Sequence, residues 1–191
     1  MSGHNKWSQL KRQKGATDAA KSRVFARFAR LIALESKKAN GGTGSPALAA
    51  AIARAKATNM PKENIERAIA KGTSKDSGDL EQIVYEAYGP GGVAMLIDAL
   101  TDNKNRTTQD LKHLLSLQGV DVATPGAASW AFTKQSGAYI PNEPLLEVTG
   151  DDEARLQSIL DALDAYDDVQ QIFTNARGYE RVSDYHEDTR D

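Results

Sequence analysis

Between Thr73 and Asp79 the hydrophobic pattern changes period, and this change constrains the fold more than any other feature of the sequence. Before it, apolar residues recur at helical spacing. Beyond it, short runs alternate in the manner of strands and are punctuated by glycine and proline. A helical unit followed by an α+β unit is therefore expected, and 191 residues suffice for one large domain or two small ones.

In the first unit, Asp18 to Asn40 reads as a helix. Thr17 or Asp18 can cap its start, and Gly41-Gly42 follows its end. On a helical wheel Val24, Phe25, Phe28, Leu31 and Ile32 share one arc. Arg23, Arg27, Arg30 and Lys37 share the arc beside it. Ser45-Pro46 supplies a cap and a first-turn proline for a second helix ending near Ala57. Asn59-Met60-Pro61-Lys62 turns the chain into a third helix that Gly72 is expected to end.

In the second unit, Gln82 to Tyr88 and Val93 to Leu100 read as a hairpin closed by Gly89-Pro90-Gly91-Gly92. Thr101 to Thr107 is a polar stretch leading into a helix from about Thr108 to Gln118. Further strands are expected at Ala127–Thr133, Gly137–Ile140 and Val169–Thr174, with a helix over Asp151–Tyr166. Two helices over one face of an antiparallel sheet predict a ferredoxin-like α+β sandwich. The fold class is thus α+β, with a basic helical domain and its N-terminal arm over 1–76, an acidic domain over 80–176 and a polar, frayed tail over 177–191.

Net charge is only −2, but the charges are segregated. Residues 1–75 hold 16 Lys and Arg against 4 acids, whereas residues 76–191 hold 8 against 22. The stretch Ser2–Arg30 is the basic extreme: Lys6, Lys11, Arg12, Lys14, Lys21, Arg23, Arg27 and Arg30 face one acid, Asp18. Trp7 lies among them. A cationic arm with one aromatic suits a polyanion, whose phosphates take the charge while a base stacks on the ring. The same stretch also fits an ordinary solvated terminus. Lys104, Arg106 and Thr107 could hold a phosphate at a helix start, or form Asx turns and a cap.

No catalytic constellation is evident. His4, His113 and His186 are scattered, the Asp residues lack metal-loop spacing, and there is no phosphate-loop, nucleophile-elbow or zinc motif. Neither a cofactor nor a metal nor a small-molecule substrate is expected. The absence of cysteine excludes disulfides. With no secretion signal and no apolar run of spanning length, a cytoplasmic protein without a membrane partner is expected.

The opening SGHNKWSQLKRQKGATDAAKSRVFAR resembles the start of the YebC family, which includes the mitochondrial translational activators of cytochrome c oxidase. NMPKENIERAIAKG at Asn59–Gly72, YEAYGPGGVAMLIDALTDNKNRT at Tyr85–Thr107 and LDALDAYDDVQQIFTNA at Leu160–Ala176 extend the resemblance in family order. The resemblance implies a helical N-terminal domain followed by α/β domains. It also implies a regulator of gene expression that binds DNA, or one that acts in translation on the ribosome and relieves stalling at proline-rich stretches. The matching positions expected at a nucleic-acid interface are His4, Lys6, Trp7, Lys11, Lys14, Arg23, Asn59, Met60, Pro61, Lys62, Asn103, Asn105, Arg106 and Thr107. Arg12, Lys21, Arg27, Arg30 and Lys104 join them on charge. Family members usually carry a further α/β domain after the Trp130–Phe132 strand. Here Lys134 to Gly150 is short, which marks a compact form.

The expected function is non-enzymatic nucleic-acid binding, with DNA and structured or ribosomal RNA both open as targets. No helix presents an evident base-reading face. The alternative is a protein-interaction adaptor whose basic half binds an acidic partner.

Overall fold

A computed structural model describes residues 6, 7, 9, 18–40, 42, 44–74, 79–135 and 138–182. Among these, residues 18–81 form a helical unit, and Lys6, Trp7 and Gln9 join residues 82–182 in an α+β unit.

The helical unit contains α1 (Asp18–Lys38), α2 (Pro46–Ala57) and α3 (Lys62–Thr73), close to the expected bounds. Ser45 caps α2 by accepting the Leu48 N–H at 3.4 Å, and Pro46 occupies the first turn. Helix α1 packs on both others. Phe28 and Ile32 of α1 meet Leu48 of α2, Met60 of the turn and Ile65 of α3, with Ala51, Ala55 and Ala68 filling the gaps. Each large apolar side chain buried here contributes about 1.5–3 kcal/mol.

Gly72 does not end α3, which continues through Thr73. Its role is contact. A Cβ on Gly72 would lie 2.3 Å from the Ala33 carbonyl oxygen and 2.8 Å from Ser36 Cβ. The backbones of α1 and α3 approach closely there, and the Ser36 hydroxyl donates to the Ile69 carbonyl at 2.9 Å.

The α+β unit contains β1 (Glu81–Tyr88), β2 (Ala94–Thr101), α4 (Lys104–Leu117), β3 (Val122–Ala123), β4 (Phe132–Gln135), β5 (Ala138–Pro141), α5 (Gly150–Ala165), β6 (Val169–Thr174) and β7 (Arg181–Val182). The main sheet runs β3-β1-β2-β6-β7, while β4 and β5 form a separate hairpin. Strand alternation sends Tyr85, Ala87, Met95, Ile97 and Ala99 to one face, where Leu111, Leu115, Leu156, Ile159, Leu160 and Leu163 of α4 and α5 cover them. Ala94, Leu96 and Phe173 face the other way and are covered by Ala128, Ala131, Phe132 and Tyr139. This is the expected α+β sandwich, with a small second layer added.

Three expectations change. Helix α4 starts at Lys104 rather than Thr108, because Asn103 caps it by accepting the Arg106 N–H at 3.1 Å. Residues 127–131 are not a strand. Their backbone is drawn into a turn by Glu86, and pairing begins only at Phe132. The chain beyond Ala176 does not fray at once. Tyr179 is buried, and β7 pairs with β6.

Gly72→Ala is expected to force α1 and α3 apart and to cost about 1–3 kcal/mol. Urea denaturation followed by circular dichroism measures the shift in midpoint.

Candidate nucleic-acid interface

Four of the expected contacts, His4, Lys11, Arg12 and Lys14, lie outside the described residues. The others fall at three places with different environments.

On the helical unit, Lys21 is exposed and Arg23 and Arg30 are half-buried. Arg27 departs from the expected row, with only 1% exposure. It lies three residues after Val24 and four before Leu31, so the apolar stripe claims it, and its long stem packs as an aliphatic chain. Asn59 is exposed in the left-handed turn, at φ 61°. Exposed Lys62 reaches Glu66 at 3.5 Å, one helical turn on. Met60 is buried and serves the core rather than a surface.

At the start of α4, Lys104, Asn105 and Arg106 are exposed, but the Arg106 guanidinium is paired with Asp168 and Thr107 is buried. Asp168, 3% exposed, accepts from the Arg106 guanidinium at 2.9 Å and from the Thr107 hydroxyl at 2.7 Å. Tyr166 donates to Asp110 at 2.7 Å in the same network. Burial, followed by the Asp110 hydrogen bond and the charge of Asp168, pushes the Tyr166 phenol up to about 12. Hydrogen bonding to Asp168 and its charge raise the guanidinium of Arg106 above its ordinary value. Thr107 is fully buried and cannot reach a ligand. The polar motif is thus mainly a clamp between the start of α4 and the start of β6. Lys104 and Asn105 remain on the surface.

The third place corrects the expectation of a stacking Trp7. Its ring is 3% exposed and belongs to the main core of the α+β unit. Its backbone N–H donates to the Gly178 carbonyl at 3.3 Å. Beside it, Lys6 pairs with Glu153, which also accepts the Tyr179 hydroxyl at 2.8 Å. The Lys6 hydrogen bond, then that of Tyr179, holds the Glu153 carboxyl below its ordinary value. A tryptophan among lysines looks solvent-facing in the sequence. Here an adjacent core claims it.

The exposed tryptophan is Trp130, at 68%. Its indole N–H donates to the Tyr88 hydroxyl at 2.9 Å, and Tyr88 donates in turn to the Ala127 carbonyl. Below, the Glu86 carboxylate accepts the backbone N–H groups of Gly126, Ala128 and Ser129 at 2.8, 2.6 and 2.9 Å. Burial alone would raise the Glu86 pKa, but these donors prevail and hold it below the ordinary 4.5. The available signal in the sequence was charge. Residues 122–142 contain no acid, although the surrounding half is rich in them.

A basic three-helix unit joined to an acidic α+β unit defines a two-unit α+β protein with segregated charge. The chain belongs to the TACO1/YebC family. Residues 5–75 match the family's N-terminal domain, and residues 80–143 match its second and third domain. A protein of Petrotoga mobilis is 45% identical over 179 residues, covering 91% of this chain and 70% of that relative. One of Thermotoga petrophila is 46% identical over 150 residues, covering 78% and 59%. Both are named "probable transcriptional regulatory protein". The matched part is thus about two thirds of the relatives' length. The crystal structure of a conserved hypothetical protein from Aquifex aeolicus superposes with a TM-score of 0.73 at 25% identity, covering 83% of this chain and 91% of that one. Among the described residues, no helix is long and apolar enough to cross a membrane.

Two outcomes follow. Trp7→Ala is expected to destabilise the α+β unit by about 3–5 kcal/mol, and Trp7→Phe by much less, as read from chemical denaturation. Glu86 has a lowered folded pKa, so its stabilising contribution is complete above about pH 4.5 and is lost as pH falls through the folded pKa. The stability advantage of the natural chain over Glu86→Gln should therefore shrink on acidification below pH 4.5. A constant difference across that range would show that the carboxylate charge contributes nothing.

Proposed function

We propose that the chain is a non-enzymatic, nucleic-acid-binding regulator of gene expression whose basic N-terminal half holds phosphates. The observation that carries this reading is the gathering of 16 Lys and Arg against 4 acids within residues 1–75, the part that coincides with the family's N-terminal domain. Exposed Lys21 and Lys62, half-buried Arg23 and Arg30, and exposed Asn59 give that unit several donors for phosphate oxygens. The relatives' name supports a regulatory role. The acidic unit attracts the same polyanion less, so the basic unit supplies most of the phosphate contacts.

Within this reading the contacts are to backbone rather than to base sequence. The exposed cations carry no sequence code, and among the described residues no paired amide or guanidinium row is evident. This fits ribosomal or other structured RNA as readily as DNA, with the cytoplasm as the place of action. Sedimentation of the full chain with ribosomes from its own cells separates the two. Salt-sensitive co-migration with ribosomal particles assigns it to translation, and recovery of specific DNA fragments instead assigns it to transcription.

Changing Lys11, Arg12 and Lys14 to alanine together is expected to weaken binding to all sequences. It should also reduce the slope of log affinity against log salt by about 2–3, since each phosphate contact contributes about 0.7–0.9. An unchanged slope, measured by fluorescence anisotropy over a salt series, would remove the arm from the interface.

A further inference from the structure

We infer that Trp130 is a stacking platform for an unpaired nucleobase, an inference that rests on the nucleic-acid reading above and assigns it a site on the α+β unit. Three features of the geometry carry it.

The first is rigid presentation. An exposed indole on a loose loop would lose side-chain freedom on binding. This one is fixed beforehand. Tyr88 holds the indole N–H, the Asn142 amide donates to the Trp130 carbonyl at 3.1 Å, and Glu86 fastens residues 126–129 through three main-chain bonds. The polar edge of the ring is thereby occupied within the protein. What remains for a ligand is the π surface, which every base can use.

The second is size. The other large apolar side chains exposed nearby are Tyr88, at 39%, which holds the ring, and Ile140, at 46%, which lies opposite Thr133 across the β4–β5 hairpin. Thr133 donates to Asn142 at 2.7 Å, so hydroxyl and amide groups border the ring. A stable protein interface needs upward of about 1,000 Å² with an apolar centre. One fixed ring bordered by polar groups fits a single planar ligand better.

The third is charge. Residues 122–142 contain no Asp or Glu, and Lys134 is their one charged residue. The Glu86 carboxylate beneath the loop is buried and bonded to three main-chain N–H groups. In a half of the chain with 22 acids, this is the longest stretch without one.

The test uses the full chain with its tryptophans isotope-labelled, which gives two indole N–H resonances, one for each Trp. Trp130→Phe identifies its signal by loss. Unstructured poly(U), poly(dT) and a duplex of equal length are then added at low salt. The Trp130 resonance should shift with poly(U) or poly(dT), with little change for the duplex, while the buried Trp7 resonance stays in place. The stronger response of the two single strands identifies RNA or DNA as the source of the base. Trp130→Ala should weaken single-strand binding roughly 5- to 100-fold, and Trp130→Phe should restore part of it. If single strands bind while the Trp130 signal and the Trp130→Ala affinity stay unchanged, the platform is overturned and the nucleic-acid reading stands. If no nucleic acid binds at low salt, both fall. A Trp130 shift seen only with an acidic protein partner would likewise overturn the base-stacking assignment.

Discussion

Strand Ala94–Thr101 is buried on both faces, and the rest of the α+β unit depends on keeping it so. A strand with two apolar faces needs two covers. Helices α4 and α5 provide one with leucines and isoleucines at helical spacing. The β4–β5 hairpin and the turn before it provide the other with Phe132, Tyr139 and small residues. The Tyr139 ring meets Phe173 edge-on, with centroids 5.4 Å apart, and so ties the hairpin to the centre of the sheet. The second cover also carries the exposed Trp130, so the surface feature of this unit is a by-product of sealing its core.

Much of this was legible in the sequence where a single principle decided the outcome. Helix α2 declared itself by Ser45-Pro46, and β6 by the turn at Asp167-Asp168 that precedes it. Long-range partners erased the local signal elsewhere. Nothing near Ala127–Ala131 says that a glutamate forty residues earlier will take its N–H groups. Asp168 likewise binds Arg106 and Thr107 from sixty residues away, so a motif that reads as ligand-facing is in part a joint. Trp7 and Arg27 show the same limit in opposite directions. Neighbours in sequence marked both as surface residues, and neighbours in space buried both. The surface positions that a sequence can place are those whose environment is local, such as Lys21 or Asn59.

The division of charge has a structural counterpart. In the helical unit the core is built from alanine and a few large residues, which leaves the outward positions to cations. In the α+β unit some of the cations are engaged with acids: Arg106 with Asp168 and Asp102, Lys6 with Glu153, and Arg177 with Glu147. Surface pairs of this kind contribute little stability. They do offset positive charge within that unit.

The clasp made by Glu86 uses mostly main-chain donors, with the Ser129 hydroxyl beside them. At Ala128 only the main-chain N–H takes part, so its side chain does not enter the hydrogen bonds that shape the turn, provided that the position does not become proline. Gly126, at φ 90°, is the constrained position. The turn can thus accept new side chains over evolutionary time while its contour is inherited intact. The surface beside Trp130 can acquire a different chemical preference without a new fold having to be invented.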